Sequence, residues 1–237
     1  MTLPITLIAY ALSEKVVNQL KIYLYLKEKC SGHFLLNEQN IKHACEFLVL
    51  KSEKTFYKNL NWLIRNKWVA FNSKTNSCRI ISFARLCHKL AIKTKTGVHF
   101  ETDDFKNFRP FLYAAIFAWT IRRKDWQERQ PVRKKGRTNK SMSKPKCQMP
   151  NRYLAKILSL DHSTISRYKL AASTAGYISV QHRFDDTELP GMMLYSLQKY
   201  QPEEAHLLVI HQGTIQRQQP DVIKHSIHLK HCRTRSP

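Results

Sequence analysis

The amino-acid sequence predicts a mainly α-helical protein with small β-hairpins, assembled from two copies of one unit. Three observations carry this expectation. Two stretches follow one template: Thr55-Phe-Tyr-Lys58 running to Trp68-Val69, and Thr164-Ile-Ser-Arg167 running to Tyr177-Ile178. Apolar residues recur at three- and four-residue intervals in several segments, the spacing of helices with one buried face. Short runs of strand-forming residues around polar turns follow each copy of the template. With 237 residues, 43% hydrophobic and 11% aromatic, the chain can build real cores and is not disordered.

Met1 to Leu12 is apolar, has no basic residue ahead of its apolar run and is too short to span a bilayer, so it reads as a strand or a helix lead-in. From about Ser13 to Lys29, Val16, Val17, Leu20, Tyr23 and Leu24 line one face of an amphipathic helix that Gly32 ends. After the apolar piece His33 to Leu36, a second helix begins near Asn37. A third carries Phe56, Leu60, Leu63 and Ile64, with Ser52 as its N-cap. Trp68 to Phe71 and Cys78 to Ile81 then flank the polar turn Asn72 to Asn76 as a two-stranded hairpin.

The second copy opens with the apolar helix Phe108 to Arg123. Its inner run, Phe111 to Ile121, falls well short of the roughly 20 residues a membrane span needs, so a buried helix is expected. An inserted basic loop follows, at about 127–149. Within it Arg133 to Lys146 holds seven basic residues in fourteen and no acid. Beyond Pro150 the sequence NRYLAKILSLDHSTISRYKLAASTAGYISV gives two helices joined by a turn. Leu154, Ala155 and Leu158 face inward on the first, Asp161 caps the second, and Gly176 supplies the left-handed residue that ends it. The strand Tyr177 to Gln181, an acidic turn Asp185 to Gly191 and a strand Met193 to Leu197 are expected as a second hairpin, with a further strand at His206 to Ile210 and otherwise low-order polar sequence.

Helix, strand, helix, helix and hairpin in that order resemble the winged-helix domain over about Ser13 to Ser82, and the segment after Pro150 is similar to the helix-turn-helix of many bacterial regulators. The resemblance implies two winged-helix domains: 1–99, then 100–200 carrying the basic insertion, then a basic and polar tail, 201–237. A formal charge of +23, from 40 Lys and Arg against 17 Asp and Glu, points the same way, because so cationic a surface attracts a polyanion. Double-stranded DNA is the expected partner.

A recognition helix offers polar groups near its N-terminus while its other face packs on the domain. In the first copy this leaves Lys54, Thr55, Tyr57, Lys58 and Asn61 outward. In the second, Ile165 and Ala172 point inward, leaving His162, Ser163, Thr164, Ser166, Arg167 and Tyr168 for bases and phosphates. Lys58 holds the place of Arg167, whose fork can engage guanine or phosphate with two hydrogen bonds. In the basic loop Arg133, Lys134, Lys135 and Arg137, with no aromatics among them, favour phosphate contacts over base stacking. The acidic tip of the second hairpin should face away from phosphate or meet a protein. Two departures from the template are expected to matter: Lys67 stands where the second copy has Gly176, and Lys169 and Ala172 stand where the first has Leu60 and Leu63. The first helix would then end less cleanly and the second pack more loosely.

No P-loop, dinucleotide-binding turn, GxSxG or HExxH occurs, and only six glycines are available to cradle phosphates on bare backbone. No catalytic centre and no cofactor are expected. The six cysteines form no CxxC pair and are expected as reduced thiols. His225, His228, His231 and Cys232 match no defensible zinc spacing, so no metal is assigned. The resulting expectation is a cytoplasmic, nucleoid-associated duplex-DNA-binding protein without a membrane segment. Tandem winged helices are similar to plasmid replication initiators and equally compatible with a transcription regulator of a phage or mobile element. Homodimer formation and contacts with host replication or transcription proteins fit that reading. A winged-helix scaffold for proteins, or an accessory factor of a recombination enzyme, is the alternative.

Overall fold

The computed structural model describes residues 1–93, 95–134, 147–158, 160–200, 208–211 and 213–231. The chain divides into two units, Met1–Trp119 with Ile227–Pro237, and Thr120–Ser226.

Unit 1 opens with β1 (Thr2–Pro4) and α1 (Ile5–Ser13), so the apolar start is both a strand and a helix. Next come α2 (Val17–Lys29), β2 (His33–Leu35), α3 (Glu38–Leu48) and α4 (Glu53–Arg65), then β3 (Val69–Asn72) and β4 (Ser77–Ile80). The N-caps act as their residue types require. Asn37 Oδ1 accepts from the Asn40 amide at 2.8 Å, and Ser52 Oγ accepts from Thr55 at 3.3 Å, each satisfying an amide that the first turn leaves unpaired. The expected hairpin forms, with Val69 opposite Ile80 and Asn72 opposite Ser77, and β2 adds to it in the order β2-β4-β3. Buried aromatic rings fill this unit. Trp68 meets Tyr23 and Trp62 edge-on, both with centroids 5.5 Å apart, and the Tyr23 hydroxyl donates to the Ile81 carbonyl at 2.8 Å. Burial in β4 pushes the Cys78 thiol up to about 11, which makes it a packing group and not a nucleophile.

The chain continues through α5 (Phe83–Lys89) and β5 (Thr96–His99) to a 3₁₀ turn at Thr102–Phe105. From there α6 (Phe108–Lys134) carries the expected buried run, with Phe111, Leu112, Ala114, Ala115, Ile116, Phe117, Ala118 and Ile121 all enclosed. It also corrects the start of the basic loop. Gln127 to Gln130 are good helix formers, and the helix continues past Pro131 to Lys134 in spite of that residue's poor propensity, so Arg133 and Lys134 belong to helical backbone. Lys135 and Arg137 lie outside the described residues.

Unit 2 takes the second part of α6, then β6 (Cys147–Gln148), α7 (Asn151–Leu158), α8 (His162–Thr174) and β7 (Ile178–Pro190). The expected second hairpin is corrected here. Gly191–Met193 is a 3₁₀ turn, and Met193 to Leu197 is not a strand, because α9 (Leu194–Tyr200) begins at once. The partner of β7 comes later. After β8 (Leu208–His211), β9 (Thr214–His225) lies within the segment expected to be a low-order tail, pairs along β7 and also holds β6 and β8. The expected acidic turn is accordingly strand, with Asp185 opposite Arg217. β10 (Leu229–His231) then completes a separate antiparallel sheet, β1-β5-β10, in unit 1. Helices and small antiparallel sheets thus make a mixed α/β chain with more strand than expected.

The two units share a path. Each runs helix, strand, helix, helix, strand, strand, and in each the first strand pairs with the last: β2-β4-β3 and β6-β9-β7. Matching backbone bonds fix the correspondence. Leu36 donates to Asn76 O and Met149 to Asp221 O, both at 2.9 Å. The amides of Trp68 and Tyr177 reach back to Leu63 and Ala172 at 2.8 and 3.0 Å. Asp221 therefore corresponds to Asn76, and the segment from Gly191 to Gly213 is an insertion between the last two strands of unit 2.

Candidate nucleic-acid interface

The helix after the turn, α4 in unit 1 and α8 in unit 2, carries most of the residues singled out in the sequence. On α4, Phe56, Leu60 and Leu63 are buried, while Lys54, Tyr57, Lys58 and Asn61 are exposed and Thr55 is half-buried. On α8, Ile165 and Ala172 are buried as expected. His162, Ser163, Ser166 and Arg167 are exposed, and Thr164 and Tyr168 are half-buried. Exposed lysine and arginine thus stand at the same place of the same helix in both units.

The head of α8 is tied together by its own side chains. Asp161 accepts from the Thr164 amide at 2.8 Å, from Ser163 Oγ at 2.6 Å and from Thr164 Oγ1 at 2.5 Å. These bonds, the Ser163 and Thr164 hydroxyls first, hold its carboxyl well below the usual aspartate range. The Arg167 guanidinium donates to Thr164 Oγ1 at 2.9 Å, so Asp161, Thr164 and Arg167 form one chain of contacts on the outer face. Asn151, the first residue of α7, donates to Ser166 Oγ at 3.2 Å and links the two helices at their N-terminal ends. The hydroxyl protons here are already given, those of Ser163 and Thr164 to Asp161 and that of Ser166 to the His162 carbonyl, so the donors this surface can offer to phosphate oxygens or base edges are imidazole and guanidinium.

Both helices end alike, contrary to expectation. Lys67 takes the left-handed conformation, φ +57, that Gly176 takes at φ +77, and the closing bonds match: Lys67 N to Ile64 O and Gly176 N to Ser173 O, both 2.9 Å. Lys67 accepts backbone strain that glycine avoids. Nor is α8 loosely packed. Lys169, at the place of Leu60, is buried with 5% of its surface exposed, and its Nζ meets Asp221 Oδ2 at 2.5 Å. Asp221 Oδ1 also contacts His182 Nδ1 on β7 at 2.8 Å. The register of β7 against β9 shifts between Gln181 and Arg183, so Pro220 and Asp221 bulge opposite His182. Proline, which has no amide proton to place in a ladder, suits that position. A lysine at an inward position of a helix is the sequence signal for this pair, but nothing local points to Asp221 as its partner.

Among the described residues, no helix is long and apolar enough to cross a membrane, and no group of three His, Cys, Asp or Glu side chains is placed to hold a metal ion. The chain matches no protein-family model, no curated protein and no solved structure.

Proposed function

We propose that this chain is a double-stranded DNA-binding protein built on two winged-helix units, acting as a regulator of transcription or an initiator of replication of a plasmid, phage or mobile element. The observation that carries the reading is the placement of Lys58 and Arg167: exposed, cationic and at equivalent places on the helix after the turn in both units. A helix that only closes a core has no need of a cation there twice. The net charge of +23 supports the same partner. The helix-strand-helix-helix-strand-strand path supports the winged-helix assignment.

The test is equilibrium binding of the full chain to random-sequence and to selected duplexes at about 150 mM salt, where long-range attraction is screened within about 8 Å. Arg167→Ala is expected to weaken binding to a selected duplex by about 1–3 kcal/mol and to leave random duplex less affected. Unchanged affinity for every duplex contradicts a reading role for α8.

The insertion favours a protein partner in addition. Met192, Tyr195 and Tyr200 are 88, 77 and 74% exposed. Large apolar side chains so placed suit a contact with a second copy or with a host replication or transcription protein. Sedimentation of the full chain with and without duplex tests this, and a monomer under both conditions contradicts the dimer.

A further inference from the structure

Unit 2 leaves one long strand edge open. β7 pairs with β9 along Ile178–Pro190, and no strand among the described residues pairs with its other edge. Such an edge presents backbone N–H and C=O groups that a further strand can satisfy. Register shifts between Gln181 and Arg183 and between Asp186 and Leu189 interrupt the ladder, and the regular stretch between them is Arg183–Asp186. Gln181 through Asp186 are all exposed. Successive side chains point to opposite faces, so neither face of this stretch is packed into the core.

The side chains there follow an order that is its own complement. Arg183, Phe184 and Asp185 are consecutive, a cation and a carboxylate on either side of a ring. A second copy laid antiparallel across Phe184 brings its Asp185 opposite Arg183, its Arg183 opposite Asp185, and the two Phe184 rings together. Opposite charges and aromatic rings placed directly across a ladder stabilise it. Every neighbouring arrangement loses this match. Slipping by one residue either way sets each ring against a charged group, centring on Arg183 or Asp185 sets like charges face to face, and in-register parallel pairing repeats arginine on arginine.

Both charged groups are placed to take part. Among the described residues Arg183 forms no ion pair. Asp185 Oδ2 accepts from the neutral Gln219 side-chain amide at 2.5 Å, and a carboxylate has further lone pairs to offer. Unit 1 supplies the contrast: the edge strands of its equivalent sheet, β2 and β3, are three and four residues long and carry no carboxylate. A self-complementary edge selects a second copy of this chain as its occupant, and a pairing about a two-fold axis closes at two copies.

We propose that the chain forms a two-fold dimer in which the β7 edges of two copies pair antiparallel about Phe184, held by two Arg183–Asp185 ion pairs. The inference rests on the second-copy contact proposed above, names the strand that makes it, and requires no DNA.

The experiment is sedimentation equilibrium of the full chain without DNA at about 150 mM salt, over roughly 1–200 μM protein. It compares the native chain, Arg183→Asp, Asp185→Arg, an equimolar mixture of these two variants, and the chain carrying both changes. A matching thermal transition verifies that each is folded. The native chain is expected to dimerise with a dissociation constant on the order of micromolar, as suits a small interface. Each single variant sets two like-charge pairs face to face and should weaken the dimer at least about tenfold. The mixture should restore it, because every arginine then meets an aspartate, and the doubly changed chain should dimerise by itself.

Single variants that dimerise as the native chain does overturn the β7 pairing and leave the dimer itself standing on another surface. A mixture of folded single variants that stays monomeric also overturns it. A native chain that is monomeric throughout overturns the pairing and the dimer together.

Discussion

The helix after the turn is built twice, and the two versions solve the same packing problem differently. In unit 1, α4 buries Phe56, Leu60 and Leu63 behind a neutral cap, Ser52. In unit 2, α8 buries Ile165, Lys169 and Ala172 behind a charged cap, Asp161. The smaller apolar residues of α8 leave room, and the Lys169–Asp221 pair occupies it. One backbone path therefore tolerates either an apolar contact or a buried ion pair. The second choice fastens α8 to the β7–β9 ribbon through Asp221 and His182, a link that Leu60 and Asn76 do not make in unit 1.

Breaking that link tests the difference hardest. Asp221→Ala strands a buried ammonium and is expected to destabilise unit 2 by about 3–5 kcal/mol, read as earlier amide exchange in α8 and a lower urea midpoint. The double change Lys169→Leu/Asp221→Asn copies the unit 1 residues into unit 2. It should recover most of the loss, because exchanging a buried pair for apolar packing is often neutral or stabilising. Recovery that fails while Asp221→Ala costs nothing would mean the pair is incidental to packing.

The caps sharpen the comparison through pH. Ser52→Ala should cost about 1 kcal/mol at any pH, since a hydroxyl cap does not titrate in the accessible range. Asp161 differs because its hydrogen bonds lower its pKa in the folded state. A depressed carboxyl contributes stability that is fully present above the ordinary aspartate value of 3.8 and is lost as pH falls through the folded value. The cost of Asp161→Ala should therefore shrink below about pH 4. Thermal unfolding of the two variants across pH 2–7 checks this, and parallel profiles would contradict it.

The helix ends give the smallest effect. Gly176 has nothing within 4 Å of an added Cβ, so Gly176→Ala meets only left-handed strain and should cost up to about 1 kcal/mol. Lys67→Gly relieves the same strain, partly offset by a freer unfolded chain, and should stabilise by less than that. Opposite signs in urea unfolding are expected.

What was legible in the sequence was local. Ser52, Asp161 and Gly176 each act through hydrogen bonds or dihedrals within a few residues, and each is where its type requires. The β3–β4 hairpin likewise closes over one polar turn. What was hidden depends on distant pairing. β9, interrupted by Pro220 and rich in glutamine, has weak strand character of its own and forms because β7 and β6 supply its partners. The sheet β1-β5-β10 joins the start, middle and end of the described chain, which no local pattern announces. Among the site residues, the exposed face of α8 followed from helical spacing. The Lys169–Asp221 pair did not, because its two members lie 52 residues apart.

In the proposed function the two equivalent helices, α4 and α8, each read duplex DNA. The most direct test of this reading is hydroxyl-radical footprinting of the full chain on a duplex selected from random sequence at about 150 mM salt, beside the Lys58→Ala and Arg167→Ala proteins. Two protected segments are expected, one fading with each variant. A single segment indifferent to both substitutions, or no protection at all, would contradict the account.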